Sequence, residues 1–387
     1  LTPHPTELLA WLRERQEEMV DLAARLAEAE SPSLDGPAQE AVRSQLRDLL
    51  AGLGFEVERL PGPGGRDHLL ATLPPNRDDG PSQLLLGHFD TVWPVGTVAT
   101  MPVERRDGRL HGPGVFDMKG GLAQMVYALR VNRELDVPMP CRPVVMLNCD
   151  EEIGSPDSRQ TIRHHAAGAS RAYVMEPSFG PHGSLKTGRK GVGRFTLRVA
   201  GVASHAGLEP TAGASAIREL SRQVGHLFEL DDPERGITVN VGRIDGGMHP
   251  NIVAPEAVAE IEARVSTADD AVSIEQAIRG LHPTAERVTL EIDGGFNRPP
   301  MEPTPRNQAL WEKAVSAADA LGIEISEAHV GGASDGNYAS ALTATLDGLG
   351  AVGDGAHAQH EHLVIERMPE RAALLACLLA GPPERQL

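Results

Sequence analysis

The sequence predicts an α/β fold around a largely parallel sheet, with a smaller α+β domain inserted into it. Short apolar runs bounded by turn residues recur at 68–73, 83–88, 143–149 and 172–176, and a helical pattern at about 119–134 lies between two of them. Such strand–helix–strand alternation is how parallel sheets are wired. Near Lys186 the texture changes to alternating strands and helices in the order β-α-β-β-α-β, which is that of a ferredoxin-like unit. A length of 387 residues also exceeds what one ordinary core requires, so two domains are expected.

The elements follow in order. Leu8, Leu12, Met19, Leu22 and Leu26 recur at three-, four- and seven-residue steps and predict an amphipathic helix over 5–29. A second helix through about 38–53 stops at Gly52 and Gly54, where the left-handed conformation is cheap. In the inserted domain, the run from Arg194 to Ala200 alternates with period two. A helix at about 212–229, strands at 237–244 and 256–266, a helix at 271–280 and a strand at 287–293 follow. The Gly- and Pro-rich stretch from Gly294 to Pro305 reads as the return linker. The expected domains are therefore 1–187 and 297–387 for the larger one and 188–296 for the insert.

Composition narrows the function. Hydrophobic residues at 41% and charged ones at 23% are those of a globular protein. Aromatics at 3% leave the core to Leu, Val, Ile and Ala. A formal net charge of −18 argues against nucleic acid and anionic membranes as partners. Cys141, Cys149 and Cys377 cannot all pair and form no CxxC, so neither a disulfide framework nor a thiolate zinc site is expected. Glu7, Arg13, Glu14, Arg15, Glu17 and Glu18 interrupt any apolar run at the N-terminus, and no stretch is long enough to span a bilayer. A cytoplasmic location is the default expectation, although the chain begins at Leu1 and a leader already removed would leave the same sequence.

Five short segments carry chemistry: Gly-His88-Phe-Asp90-Thr, Phe-Asp117-Met-Lys-Gly-Gly, Asp150-Glu151-Glu152, Met-Glu176-Pro and Gly-Ala-His357-Ala. Histidine and carboxylate without thiolate is a ligand set for Zn, Mn or Co. Two such ions need a shared anionic bridge and a spare carboxylate to deprotonate water. His88, Glu151, Glu152 and Glu176 fall at or just beyond the ends of the expected strands, where open α/β sheets place their sites. Each segment alone is more often an ordinary histidine or a solvated acidic turn. Together they reverse those odds, because buried carboxylates are costly unless a cation neutralises them.

The segments GHFDTVWP, GPGVFDMKGG, NCDEEIGS, MEPS, SHAG and GAHAQHE, in this order from about Leu84 to Ile365, resemble the M20 metallopeptidase family and within it the glutamate carboxypeptidases. The resemblance implies a zinc-exopeptidase-like catalytic domain and an inserted dimerisation or lid domain. It implies two Zn2+ per subunit, with Mn2+ or Co2+ as alternatives. Asp117 would bridge them, one ion also bound by His88 and Glu176, the other by Glu152 and His357. Asp90 would orient His88 from behind. Glu151 would be the general base, taking a proton from water and delivering it to the leaving nitrogen. Because adjacent strand residues point to opposite faces, Glu151 and Glu152 are expected where the strand breaks into a loop.

By the same resemblance, His205 of Ser204-His205-Ala206-Gly207 would reach the active site of a second subunit and stabilise an oxyanion, which implies a homodimer. Asn251 and Arg264 would grip a substrate carboxylate, and the loop Gly331–Gly336, through Gly332 and Ser334, would meet it with backbone amides. His357 is preferred to His360 and His362 as the final ligand because Gly-x-His-x-x-x-Glu matches the family pattern; the other two are expected to face solvent. Phe116 and Ala333 depart from that pattern in ways that touch substrate identity more than mechanism. The function implied is hydrolysis of a C-terminal amino acid, glutamate first, from a peptide or N-acyl amide, with substrate between the domains. A deacylase of the acetylornithine or succinyl-diaminopimelate type, a monomeric exopeptidase and a metal-free binding protein are the rival readings.

Overall fold

Four parallel strands form the heart of the main sheet: Arg142–Asn148, Ser82–His88, Ala169–Val174 and Ala344–Leu346, in that spatial order. The hairpin Glu56–Leu60/His68–Thr72 extends the Arg142–Asn148 edge antiparallel, so the sheet is mixed but mostly parallel. The computed structural model describes residues 4–74 and 80–383. The central strands are buried almost throughout, as expected of a sheet covered on both faces. The helices Gly120–Glu134 and Met368–Ala380 pack on each other. Both are buried on nearly every side.

The N-terminal apolar stripe forms as expected but breaks once. Helices Pro5–Glu14 and Gln16–Glu28 meet at Arg15, whose φ of −112° and ψ of 17° leave the helical region. Leu8, Leu12, Met19, Leu22 and Leu26 are all buried, so both segments keep one face on the core. The second helix runs over Glu40–Gly52.

The chain divides into two compact units. One takes the chain up to Thr187, then Pro303–Val330 and the chain from Ser334 onward. The other takes Gly188–Glu302 and Gly331–Ala333. The second unit holds a four-stranded antiparallel sheet in the order Thr238–Gly246, Glu256–Val265, Gly191–Ala200, Thr289–Arg298, with helices Ala216–Phe228 and Ala268–Arg279. Numbered along the chain that order is 2-3-1-4, the arrangement of the ferredoxin-like unit. Gly294 and Gly295, read from sequence as the start of a linker, instead lie inside the last strand. Gly294 adopts φ +98°, and a Cβ there would fall 2.1 Å from the Arg194 carbonyl oxygen. Close approach of the neighbouring strand, not a turn, explains this glycine.

Candidate metal centre

Three of the candidate side chains leave the main sheet at the carboxyl ends of its interior strands. His88 is the last residue of its strand, Glu151 follows the strand ending at Asn148, and Glu176 follows the strand ending at Val174. All three strands are parallel, so all three ends lie on the carboxyl side of the sheet. After Asn148 the strand stops and Glu151–Ile153 form one 3-10 turn. Consecutive carboxylates can face one site only because the alternation of the strand has ended there.

Asp117 occupies the middle. Its Oδ1 lies 3.2 Å from Nε2 of His88, and its Oδ2 lies 3.5 Å from Nε2 of His357. Glu176 Oε1 stands 3.5 Å from the same nitrogen of His88. Glu152 Oε2 stands 3.0 Å from that of His357. Each oxygen of Asp117 thus serves a different His–Glu pair. Ligand atoms of His88, Glu151 and Glu176 lie within 4.8 Å of one another, as do those of His88, Asp117 and Glu152. His357 is aimed by a left-handed backbone, φ +61°, which costs an L-residue about 1–2 kcal/mol. It is the most exposed of the set, its side chain being 50% accessible.

Asp90 organises two of these groups at once. The outward nitrogen of His88, Nδ1, lies 3.1 Å from the Asp90 carbonyl oxygen and 3.4 Å from its carboxylate. The carboxylate also accepts the backbone N–H of Glu151 at 3.3 Å and that of Glu152 at 3.2 Å. One fully buried aspartate therefore fixes both the imidazole and the turn carrying the two glutamates. Lys119, equally buried, donates to Ser31 Oγ at 2.6 Å and to the carbonyl of Phe89, between His88 and Asp90, at 2.7 Å. Burial pulls its ammonium down to about 7.

Charge at the centre is out of balance. Asp90, Asp117, Glu151, Glu152 and Glu176 converge on two imidazoles. Burial, then the Asp117 charge, push Glu152 up to about 7. Hydrogen bonds to Asp117 and Glu152 push His357 up to about 11. Burial would raise Asp117, but its bonds to His357 and His88 outweigh it and hold the carboxyl far below its usual range. Cations would relieve the repulsion among these carboxylates, and the donors are oxygen and imidazole nitrogen. The residues fit two divalent ions of the zinc, manganese or cobalt type.

The remaining candidates behave differently. Ser334, expected to face a substrate, is instead fully buried. Its hydroxyl donates to Asp347 at 2.6 Å and its N–H to Asn337 at 2.8 Å, so it braces the loop from within. Gly332 is exposed and belongs to the second unit, where Arg189 donates to its carbonyl at 3.1 Å. Arg264 in that unit donates to the Gly331 carbonyl at 2.7 Å and pairs with Glu262 at 2.8 Å. Asn251 is exposed and bonds His249 at 2.6 Å. His205 is exposed, and its Nδ1 accepts the amide hydrogens of Gly207 and Leu208 at 3.2 and 3.1 Å. That leaves the proton on Nε2, the nitrogen free to donate. His360 faces solvent, whereas His362 does not: it is buried and stacks on His111 with centroids 5.3 Å apart.

Sequence reasoning passed over Lys119 and Glu361 as parts of the site. Both lie inside quoted motifs, and Lys119 is one of the chain's few lysines. What identifies them is burial, which no motif displays.

Fold and site together define a hydrolase of the two-metal peptidase type, and comparison with known proteins agrees. Residues 84–381 match peptidase family M20/M25/M40, and the chain belongs to that family. Carboxypeptidase G2 of Pseudomonas sp. (strain RS-16) is 28% identical over 380 residues, covering 95% of this chain and 89% of the relative. Acetylornithine deacetylase of Photorhabdus laumondii is 31% identical over 253 residues, 59% of this chain and 61% of that protein. Among solved structures, a dinuclear metal binding peptidase of the M20 family from Bacillus subtilis shares the fold with a TM-score of 0.71 at 15% identity, over 95% of this chain and 98% of that one.

Proposed function

We propose that this protein is a two-zinc amidohydrolase that releases a C-terminal amino acid, glutamate foremost, from a peptide or N-acyl amide. The observation that carries the reading is Asp117, with one carboxylate oxygen toward His88 and Glu176 and the other toward His357 and Glu152. Two divalent ions held by these residues would polarise the scissile carbonyl and acidify the attacking water. Glu151, 8% exposed and grouped with His88 and Glu176, takes the water proton and passes it to the departing nitrogen. Asp90 keeps His88 and the Glu151–Glu152 turn in register throughout. Carboxypeptidase G2, similar along nearly the whole chain, supports a carboxypeptidase over a deacylase.

The second unit supplies recognition in this reading. His205, protonated on Nε2, donates to the oxyanion in the active site of a partner subunit. Arg264 and Asn251 hold the substrate carboxylate, with the Gly331–Gly332 backbone beside Arg264. Thr238–Gly246 is an edge strand, exposed from Gly242 onward, and such an edge is a template for pairing with a second copy. Size measurement of the purified protein tests the dimer. For the chemistry, zinc-, manganese- and cobalt-loaded protein is assayed against N-acyl glutamates, dipeptides, N-acetylornithine and N-succinyl-diaminopimelate. Release of glutamate supports the carboxypeptidase; exclusive release of acetate or succinate replaces it with the deacylase.

A further inference from the structure

We propose that Glu361 is the positioning residue that sets the metal bridge, clamping the Asp117 loop to the loop that carries His357. The inference rests on the two-metal reading and extends it to a residue that binds no metal itself. Glu361 is 1% exposed. Its Oε1 accepts the N–H groups of Phe116 and Asp117 at 3.0 and 3.1 Å. Its Oε2 accepts the N–H of Gly114 at 2.9 Å and the indole N–H of Trp93 at 3.0 Å. The backbone carbonyl of Glu361 takes a further N–H from Gly112 at 3.3 Å.

The topology makes this clamp. Strand His362–Val364 pairs antiparallel with Arg109–His111 in a small sheet. The chain leaving that ladder at His111 therefore runs directly past Glu361. Residues 112–117 make no ladder bonds of their own, and the glutamate collects the N–H groups that a sheet would otherwise have paired. His357 lies four residues before Glu361, and the turn between them is closed by the Glu361 N–H bond to the Ala358 carbonyl at 2.9 Å. Bridging ligand and outermost ligand thus hang from one buried carboxylate.

A carboxylate suits these four donors. It presents acceptor oxygens on both sides and no donor, and charge-assisted bonds of this kind are stronger than neutral ones. Glutamine has the same shape, but its NH2 would face two of the four donors. Whichever way the amide turns, two bonds are lost, from Phe116 and Asp117 or from Gly114 and Trp93, and the loop carrying Asp117 gains positions.

The test is zinc affinity by chelator competition on metal-stripped wild type, Glu361→Gln and Trp93→Phe. The proposal predicts two zinc ions in wild type and about 10- to 100-fold weaker zinc binding in E361Q, the usual scale for residues that orient ligands. At saturating zinc, E361Q regains turnover with KM unchanged. Trp93→Phe keeps the three backbone bonds and binds zinc as wild type does. A merely structural glutamate would lower the melting temperature of E361Q and leave the zinc affinity of the folded protein unaltered, which overturns the proposal. Should E361Q fail to fold, hydrogen exchange in metal-stripped wild type decides: slow exchange at Gly114, Phe116 and Asp117 supports the clamp, and free exchange overturns it. If wild type takes up no zinc, the two-metal reading falls and the clamp's purpose with it. If wild type binds two and E361Q matches it, the clamp alone is wrong.

Discussion

In the proposed reading Asp117 holds the ions and Glu151 activates the water, and the role of Glu151 can be tested alone. Glu151→Gln preserves shape and removes the proton acceptor, so turnover should fall by about 10²- to 10⁴-fold while zinc content is retained. Loss of zinc together with activity would make Glu151 a ligand rather than the base. The raised proton affinities of Glu152 and His357 set a second expectation. His357, raised to about 11, is protonated at neutral pH, and Glu152, at about 7, is partly so. A cation must displace those protons. Zinc binding to the metal-stripped protein should therefore release protons at pH 7 and strengthen as pH rises. Calorimetric titration in buffers of different ionisation enthalpy counts them, and buffer-independent heats would contradict the charge picture. Folding linkage has the matching sign. The stabilisation from protonated His357 is complete below its ordinary value near pH 6.5 and lost as pH rises through about 11.

At the scale of elements, the ligand segments are held by close backbone packing as much as by side chains. A Cβ on Gly121, in the first turn of helix Gly120–Glu134, would lie 2.2 Å from the Met175 carbonyl, immediately before Glu176. Gly121→Ala should push that segment away, cost about 1–3 kcal/mol of stability as overpacking does, and weaken zinc binding. Unfolding and metal titration read both effects, and an unchanged variant would show that the segment yields freely. The sequence signalled this glycine as part of MKGG, but a motif does not say why it must be small. Strands were legible for the same reason that they are buried: continuous apolar runs ending in His88, Asn148 and Val174 mark both core and site. The break at Arg15, the strand across Gly294 and the inward turn of Ser334 were not legible. Each is fixed by a neighbour distant in sequence, whether the core under the N-terminal helices, the strand at Arg194, or Asp347.

At the scale of the molecule, a −18 chain builds its core mainly from aliphatic residues. Among the described residues Cys141, Cys149 and Cys377 form no disulfide, and the first two are buried. Burial raises the Cys149 thiol well above its usual range and Cys377 to about 11. None should react with a thiol reagent at pH 8 until the protein unfolds; fast labelling of the native protein would contradict the core described. Among the described residues no helix is long and apolar enough to cross a membrane. The residues of the candidate metal centre could be picked out in the sequence because His88 ends an apolar strand, Glu151, Glu152 and Glu176 come just after two others, and Asp117 and His357 lie in short glycine-containing motifs. The supports behind it could not, because Lys119 and Glu361 show their purpose only through burial and contacts. The most direct trial of the whole reading is amino-acid release from N-acyl glutamates by zinc-loaded wild type, with Glu151→Gln beside it. Zinc-dependent release of glutamate, lost in the variant, is the predicted result. Two bound zinc ions with equal turnover in wild type and variant, or cleavage that persists after the metal is stripped, would contradict it.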